Sequence, residues 1–446
     1  MRSVKLLVLI LVLALVPVAA AWADTSYVLV APNWGAKQTA AVQMAGGIVL
    51  SSHDRAGIGI ASSSAPDFLD RALASNAFQS GQQDQIVQWT PSGPVQEVVT
   101  PGNETFFPIQ WNMQAMEAPA AWAAGCTGAG VRVAVIDGGI NKNHIDLAGG
   151  VDTTCSKSFV IGIPNPFTDT GAFWHGTHVA GIIAARDNNI GVIGVAPDAT
   201  IIGVKALHGG SGSFAAVISA ILYASDPASF GAGSCARADI INMSLGAVFP
   251  KNGAGTLIGA LAKAVNFAAS QGVLVVSAAG NNGIDFGQAF NFTSVPADSG
   301  SGLAVSATGP VGFALGATNF RRPASYSNYG EGFITVAAPG GDGVLPNGGP
   351  CTMPTSTGTV TAPCFVFDFV ISAFGAGNTS YGWAAGTSMA SPAAAGVAAL
   401  IKGRFPNISL GALKARLAQS ADDEGKVGHD EFYGQGFVNA RRACTE

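Results

Sequence analysis

The sequence predicts an α/β protein built on a doubly wound, mostly parallel sheet flanked by helices. Three observations carry that prediction. Continuous apolar, β-branched runs recur at 130–136, 201–205, 240–244 and 273–277. They do not alternate with polar residues, which is the pattern of strands buried on both faces. Between them lie Ala-rich segments with helical periodicity, at 178–186, 214–224 and 257–270; strand-helix alternation of this kind gives parallel pairing with helices on the faces. Each run also ends in small or polar residues: Asp137-Gly138-Gly139 after the first, Ser244 in the third and Asn281 after the fourth. In such sheets the working residues collect at the carboxyl ends of the strands.

Composition narrows the functions available. The chain has 446 residues, enough for one large α/β domain and a smaller unit. Charged residues make up 11% and the net charge is −5, with no Lys/Arg cluster. Nucleic acid and anionic membrane surfaces are therefore not expected as partners. At the N-terminus Arg2 and Lys5 precede an apolar stretch over 6–16, followed by Pro17 and Ala21-Trp22-Ala23. A basic start, a short apolar core and an A-x-A site predict a secretory signal peptide over 1–23, cut before Asp24, and an extracellular protein without a stable membrane anchor. The six cysteines are an even number, as expected of disulfides in an exported chain. Cys351 and Cys364 bracket a short Thr/Pro-rich loop and are the favoured pair; the other four are left unassigned.

Residues 24–105 read as a separate unit. Strands are expected at 27–30, 48–50, 58–61 and 86–89, with helices at 36–45 and 65–75. The order β-α-β-β-α-β suggests a small ferredoxin-like α+β module. A Pro/Gly/Thr-rich linker over 90–103 follows, and the second domain occupies 106–446.

The chemistry converges on one serine. Gly386-Thr387-Ser388-Met389-Ala390-Ser391-Pro392 opens an apolar run of good helix formers. Ser388 thus falls at a helix N-terminus, where unpaired N–H groups favour developing negative charge. A serine there is by itself usually a cap. As a nucleophile it needs a base, and the base needs an orienting carboxylate. His175, in a Gly-flanked turn opening another helix, and Asp137, directly after a buried strand, are the candidates. His178 is expected to be structural.

These segments resemble those of subtilases, the subtilisin-like serine proteases of peptidase family S8. The likeness rests on D-G-G-I-N-K-N-H-I-D-L (137–147), H-G-T-H-V-A-G (175–181) and G-T-S-M-A-S-P (386–392). Between and beyond them G-V-A-P (194–197), I-N-M-S-L-G (241–246), A-A-G-N (278–281) and Y-G-Q-G-F-V-N-A (433–440) match in order. The resemblance implies a subtilisin-like fold and an Asp-His-Ser triad acting through an acyl-enzyme, with Ser388 as nucleophile, His175 as base and Asp137 as its orienter. It implies Asn281 as the oxyanion donor. Ser244, Leu245, Gly246, Ala278, Ala279 and Gly280 would flank the pocket for the residue before the scissile bond (P1). Gly210, Ser211 and Gly212 would form the edge that pairs with the substrate backbone. No acidic residue stands in those pocket segments, so broad cleavage of protein or peptide substrates after apolar or neutral residues is expected.

The resemblance further implies a structural Ca²⁺. Asp146, Asn188 and Gln110 would offer side-chain oxygens, and Arg186, Ile190 and Val192 main-chain carbonyls. Residues 24–105 would be an inhibitory prodomain, the enzyme's own intramolecular partner, removed by self-cleavage within 95–110. The expected enzyme is a monomer. A dedicated processing protease for one precursor, and an inactive subtilase fold used for binding, are the alternatives. The segment 341–378 is longer than in the simplest subtilases.

Overall fold

A computed structural model describes residues 24–90, 95–99, 105–171, 173–252, 254–346 and 349–446. The expected signal peptide lies outside them, as does part of the linker. Among the described residues no helix is long and apolar enough to cross a membrane.

The centre is a seven-stranded sheet in the order Val336–Pro339, Leu303–Thr308, Leu274–Ala278, Ile240–Met243, Arg132–Asp137, Thr200–Lys205, Lys157–Ser158. Every pairing in it is parallel. Arg132–Asp137 shows why the sequence run is apolar throughout: Val133 and Val135 enter the core on one face, Ala134 and Ile136 the core on the other. The helices His175–Ala184 and Thr387–Arg404 cover the first face, and Phe214–Ser225 and Gly255–Ser270 the second. From Arg132–Asp137 the chain passes to the edge strand Lys157–Ser158, returns to Thr200–Lys205, then crosses to Ile240–Met243 and winds outward on the other side. This puts the carboxyl end of Arg132–Asp137 beside the switch in winding. The four strands expected from the sequence are present. Leu303–Thr308 and Val336–Pro339 were not foreseen; their Ala- and Ser-rich composition carries little strand signal.

Three disulfides staple the chain: Cys126–Cys444, Cys155–Cys235 and the expected Cys351–Cys364. The last closes the base of a hairpin, Pro350–Pro354 with Thr359–Pro363, within the long segment 341–378. That hairpin, with Phe367, Phe369, Tyr381 and Trp383, builds a satellite core against Phe106, Ile109 and Val192.

The N-terminal unit is a four-stranded antiparallel sheet in the order Ile48–His53, Ile58–Ser63, Thr25–Val30, Ser80–Gln83, with two helices. This is the ferredoxin-like arrangement, with one correction. Its last strand is Ser80–Gln83, a polar run without β-branched residues, and not 86–89. Ile86–Gln88 is a strand, but it pairs antiparallel with Ser211–Ser213 of the second domain. The two units share a core, in which Val28, Ile58 and Ile60 meet Ile218, Leu257 and Leu261. Asp84 accepts from Ala215 N–H at 3.0 Å, and Gln85 C=O from Phe214 N–H at 3.1 Å. The N-terminal unit thereby satisfies open donors at the start of the helix Phe214–Ser225.

Candidate active site

Asp137 ends its strand with its side chain 1% exposed. Both carboxylate oxygens are engaged: Oδ1 accepts from Gly138 N–H at 2.6 Å and Oδ2 from His175 Nδ1 at 2.8 Å. That bond fixes the imidazole tautomer and leaves Nε2 on the outer side. His175 is the first residue of its helix, preceded by Trp174 at φ 46°, a conformation a bulky residue seldom adopts. Burial alone would lower the His175 pKa, but the Asp137 carboxylate outweighs it, and the imidazole sits above its ordinary value. His178, one turn on, is fully buried and hydrogen-bonds the Gly382 carbonyl at 3.1 Å; burial holds it down to about 3, so it stays neutral and structural.

Ser388 is the second residue of the helix Thr387–Arg404. Its Oγ donates to the Ser244 carbonyl at 3.2 Å. Proline at 392 explains how this turn is held. Pro392 has no N–H to give to the carbonyl four residues back, which is that of Ser388. The orphaned carbonyl accepts from Ser244 Oγ at 2.8 Å. Ser244 is held in turn by Asn242 Nδ2 at 2.9 Å, and Asn242 Oδ1 by Ser391 Oγ at 2.7 Å. This buried chain of polar groups beneath Ser388 was not foreseen from the sequence.

Asn281 follows the strand Leu274–Ala278. Its Oδ1 accepts from Thr387 N–H at 2.9 Å and from Thr387 Oγ1 at 2.7 Å. Nδ2 takes no part in that pair, and Asn281 borders a small cavity of about 30 Å³ with Ser388, Thr387, Gly246, Ala278, Gly280 and Trp89. Gly280 is required there: its φ is +103°, and a Cβ would collide with Asn328 Nδ2. Of the expected pocket residues, Gly246, Ala278 and Gly280 line this cavity, and Ser244 braces it from below. Leu245 and Ala279 turn into the interior, 1% and 0% exposed.

Gly210, Ser211 and Gly212 form the expected edge, and the segment 86–90 lies along it. Trp89 and Thr90 N–H both donate to Gly210 C=O, at 2.9 and 3.2 Å, and Gly246 N–H donates to Trp89 C=O at 2.9 Å. The Trp89 ring is fully buried, edge-on to Phe214 at 5.0 Å, with Nε1 on Gly212 C=O at 2.9 Å.

A second feature the sequence did not flag sits behind Asp137. Lys205 pairs in register with Asp137 and is 1% exposed. Its ammonium donates to the carbonyls of Gly138 and Leu207, and Asp169 Oδ1 lies 3.8 Å away. Burial lowers the Lys205 pKa and raises that of Asp169. The only signal was a lysine ending an otherwise apolar strand.

The expected calcium residues Asp146, Asn188 and Val192 do come together, and the side chains of Asp146, Asn188 and Gln110 already have hydrogen-bond partners within the protein. Asn188 Nδ2 donates to Asp146 Oδ1 at 3.2 Å, and Val192 N–H to Asp146 Oδ2 at 2.9 Å. Both ends of the Gln110 amide are held by the main chain of Ile193. Among the described residues no group of three or more His, Cys, Asp or Glu is placed to hold a metal ion.

Residues 128–436 match the model of the Subtilase family. The chain belongs to that family. It is 35% identical over 337 residues to M-protease of Shouchella clausii (strain KSM-K16), spanning 75% of this chain and 70% of that one. It is equally identical to subtilisin Savinase of Lederbergia lenta, over 75% of this chain and 98% of that one. Among solved structures it resembles a protease from Pseudoalteromonas arctica PAMC 21717, with a TM-score of 0.58 and 28% identity over 75% of this chain and 96% of the other. The fold of the epidermin leader peptide processing serine protease of Staphylococcus aureus matches with a TM-score of 0.72 over 94% of this chain and 98% of that one, at 22% identity. This subtilase is a serine endopeptidase acting on protein or peptide substrates.

Proposed function

We propose that this subtilase is exported as a self-inhibited precursor and that Ser388, His175, Asp137 and Asn281 carry its hydrolysis. In this reading Ser388 Oγ attacks the scissile carbonyl while His175 Nε2 takes its proton and later returns it to the leaving amine. Asp137 holds the tautomer and stabilises the imidazolium. Asn281 Nδ2 and the Ser388 N–H meet the developing oxyanion. The observation that carries the reading is the 2.8 Å Asp137–His175 bond, in a chain whose Ser388 opens a helix beside Asn281. The Ser388→Ala variant tests it: peptide hydrolysis and fluorophosphonate labelling are both expected to vanish, hydrolysis by about 10⁶, the scale of such knockouts in subtilisin. Retained activity would falsify the assignment.

The N-terminal unit acts here as the inhibitor, with 86–90 laid along the groove in the manner of an extended substrate. The reading is supported by the pairing of Ile86–Gln88 with Ser211–Ser213 and by Trp89 against the Ser388 cavity. The described part of this segment reaches the Ser388 cavity at Trp89 and ends at Thr90. Self-cleavage is therefore proposed between Thr90 and Val95, upstream of the window expected from sequence. Thr90-Pro91-Ser92-Gly93-Pro94 is uncharged. The cavity lining of Gly246, Ala278, Gly280 and Asn281 is uncharged as well, which favours neutral residues before the cut. N-terminal sequencing of the matured enzyme decides the site: a first residue beyond Val95, or a Ser388→Ala precursor that still matures unaided, overturns it.

A further inference from the structure

Asp146 is 0% exposed. A carboxylate buried so deeply requires a counter-charge or a full set of donors. The resemblance to subtilases implies the counter-charge, a calcium ion, whereas the side chains of this chain supply donors. Val192 N–H and Asn188 Nδ2 each give one bond. The Tyr381 hydroxyl faces the same carboxylate, the two bordering one side of Gly191, and is placed to donate to it. The other expected side-chain oxygens are occupied too. Asn188 Oδ1 accepts from Ile190 N–H at 3.2 Å, while its Nδ2 also reaches Ile145 C=O at 3.3 Å. Gln110 Oε1 accepts from Ile193 N–H at 3.0 Å. To meet a cation, the Asn188 amide would have to turn over, presenting its NH₂ to the Ile190 N–H it now accepts from. The rest of the expected set, main-chain carbonyls of Arg186, Ile190 and Val192, carries no net charge to hold a divalent ion.

The phenol belongs to a built site. Tyr381 is 4% exposed, edge-on to Phe106 at 5.0 Å and to His144 at 5.1 Å. His144 closes the knot from behind: its Nδ1 accepts from Asp146 N–H at 3.2 Å, and its Nε2 meets Ser380 C=O at 2.8 Å. Gly191 makes the space, since a Cβ there would collide with both Tyr381 Oη and Asp146 Oδ2. Tyr381 stands in Ser380–Ala384, the strand that runs directly into the turn bearing Ser388.

We propose that the Tyr381–Asp146 hydrogen bond replaces the calcium ion in this subtilase, pinning the loop 187–193 to the strand that leads to the nucleophile without any metal. The loop then owes its order to a side chain on the far strand.

The test uses the full-length Ser388→Ala protein, which cannot digest itself, and does not depend on catalysis. Hydrogen exchange at the Val192 and Ile193 amides is read in excess EDTA and in CaCl₂. Equal protection in both is expected. In the Tyr381→Phe variant protection of these amides should fall by about tenfold or more, with CaCl₂ failing to restore it. Exposure of the amides by EDTA in the parent, reversed by CaCl₂, overturns the proposal, as does unchanged protection in Tyr381→Phe. Should EDTA lower the melting temperature while the two amides stay protected, Asn188→Ser separates the cases. A shift that survives Asn188→Ser puts calcium elsewhere and supports the proposal; a shift that it abolishes sinks it.

Discussion

Asn281 does two separable jobs, and substitution can pull them apart. Its Oδ1 holds Thr387 through bonds of 2.9 and 2.7 Å, while Nδ2 is free of that pair in a residue that borders the Ser388 cavity. Asn281→Ala removes both functions. Two partly buried hydrogen bonds at about 1 kcal/mol each give roughly 2 kcal/mol of lost stability. In a protein of this size that is a fall in melting temperature of about 2–4 °C. Loss of one oxyanion donor should lower kcat by about 10²–10³, or roughly 2.7–4 kcal/mol, the range known for subtilisin. KM should hardly move, because the oxyanion exists only in the transition state. Asn281→Asp keeps the acceptor for Thr387 but presents a carboxylate to the developing charge. Its melting temperature should stay within about 1 °C of the parent, while kcat falls at least as far as in the alanine variant. Calorimetry on a Ser388→Ala background and steady-state hydrolysis of a peptide ester and amide provide the two readouts. An Asn281→Asp enzyme with parental kcat would refute the reasoning, whatever its stability.

Two pH effects follow from buried histidines. His175 acts as a base only when neutral, and its pKa is raised above 6.5, so kcat/KM should climb as pH rises through that raised value. A profile flat across neutral pH would count against the assignment. His53 of the N-terminal unit is 1% exposed, bonded to Asp226 at 3.2 Å and edge-on to Phe267 at 4.4 Å. Burial lowers its pKa despite Asp226. The neutral form is therefore the docked one, and its stabilisation is complete above 6.5 and declines as pH falls from there toward the lowered value. Acidification should speed release of the cleaved N-terminal unit, measured by size-exclusion chromatography of the nicked complex. His53→Gln should flatten that dependence, and an identical pH response in the variant would rule it out.

The sequence spoke clearly where one residue type has one physical reason to be present. Strands buried on both faces need continuous β-branched residues, so 130–136 and 273–277 were legible; Leu303–Thr308, built of small residues, was not. The serine, histidine, aspartate and asparagine stood in recognisable turns, and the structure brings Asp137 to His175 and Asn281 to the Ser388 turn. Local pattern could not reveal partners. Ile86–Gln88 reads as a strand, but nothing in those residues says that its neighbour is Ser211–Ser213 rather than Thr25–Val30. The Asn242–Ser391 bond and the Lys205–Asp169 approach join groups far apart in the chain or on different elements. Such polar pairs look like ordinary surface residues until burial is known. Tyr381 escaped the sequence reading for the same reason: it lies nearly two hundred residues from the loop 187–193.

The disulfide between Cys126 and Cys444 makes the catalytic unit a covalent ring. The cleavage proposed between Thr90 and Val95 falls outside that ring and would leave it closed. A protease that works among its own copies is exposed to their attack, and a linear chain loses a fragment at the first cut. Here a single nick anywhere between Cys126 and Cys444 opens the ring but frees nothing. The two pieces stay tethered, so the cut ends remain close enough to stay seated in the fold. Autolysis within that ring therefore begins as damage visible only after reduction, and a second cut inside it is needed before any part of the ring can leave.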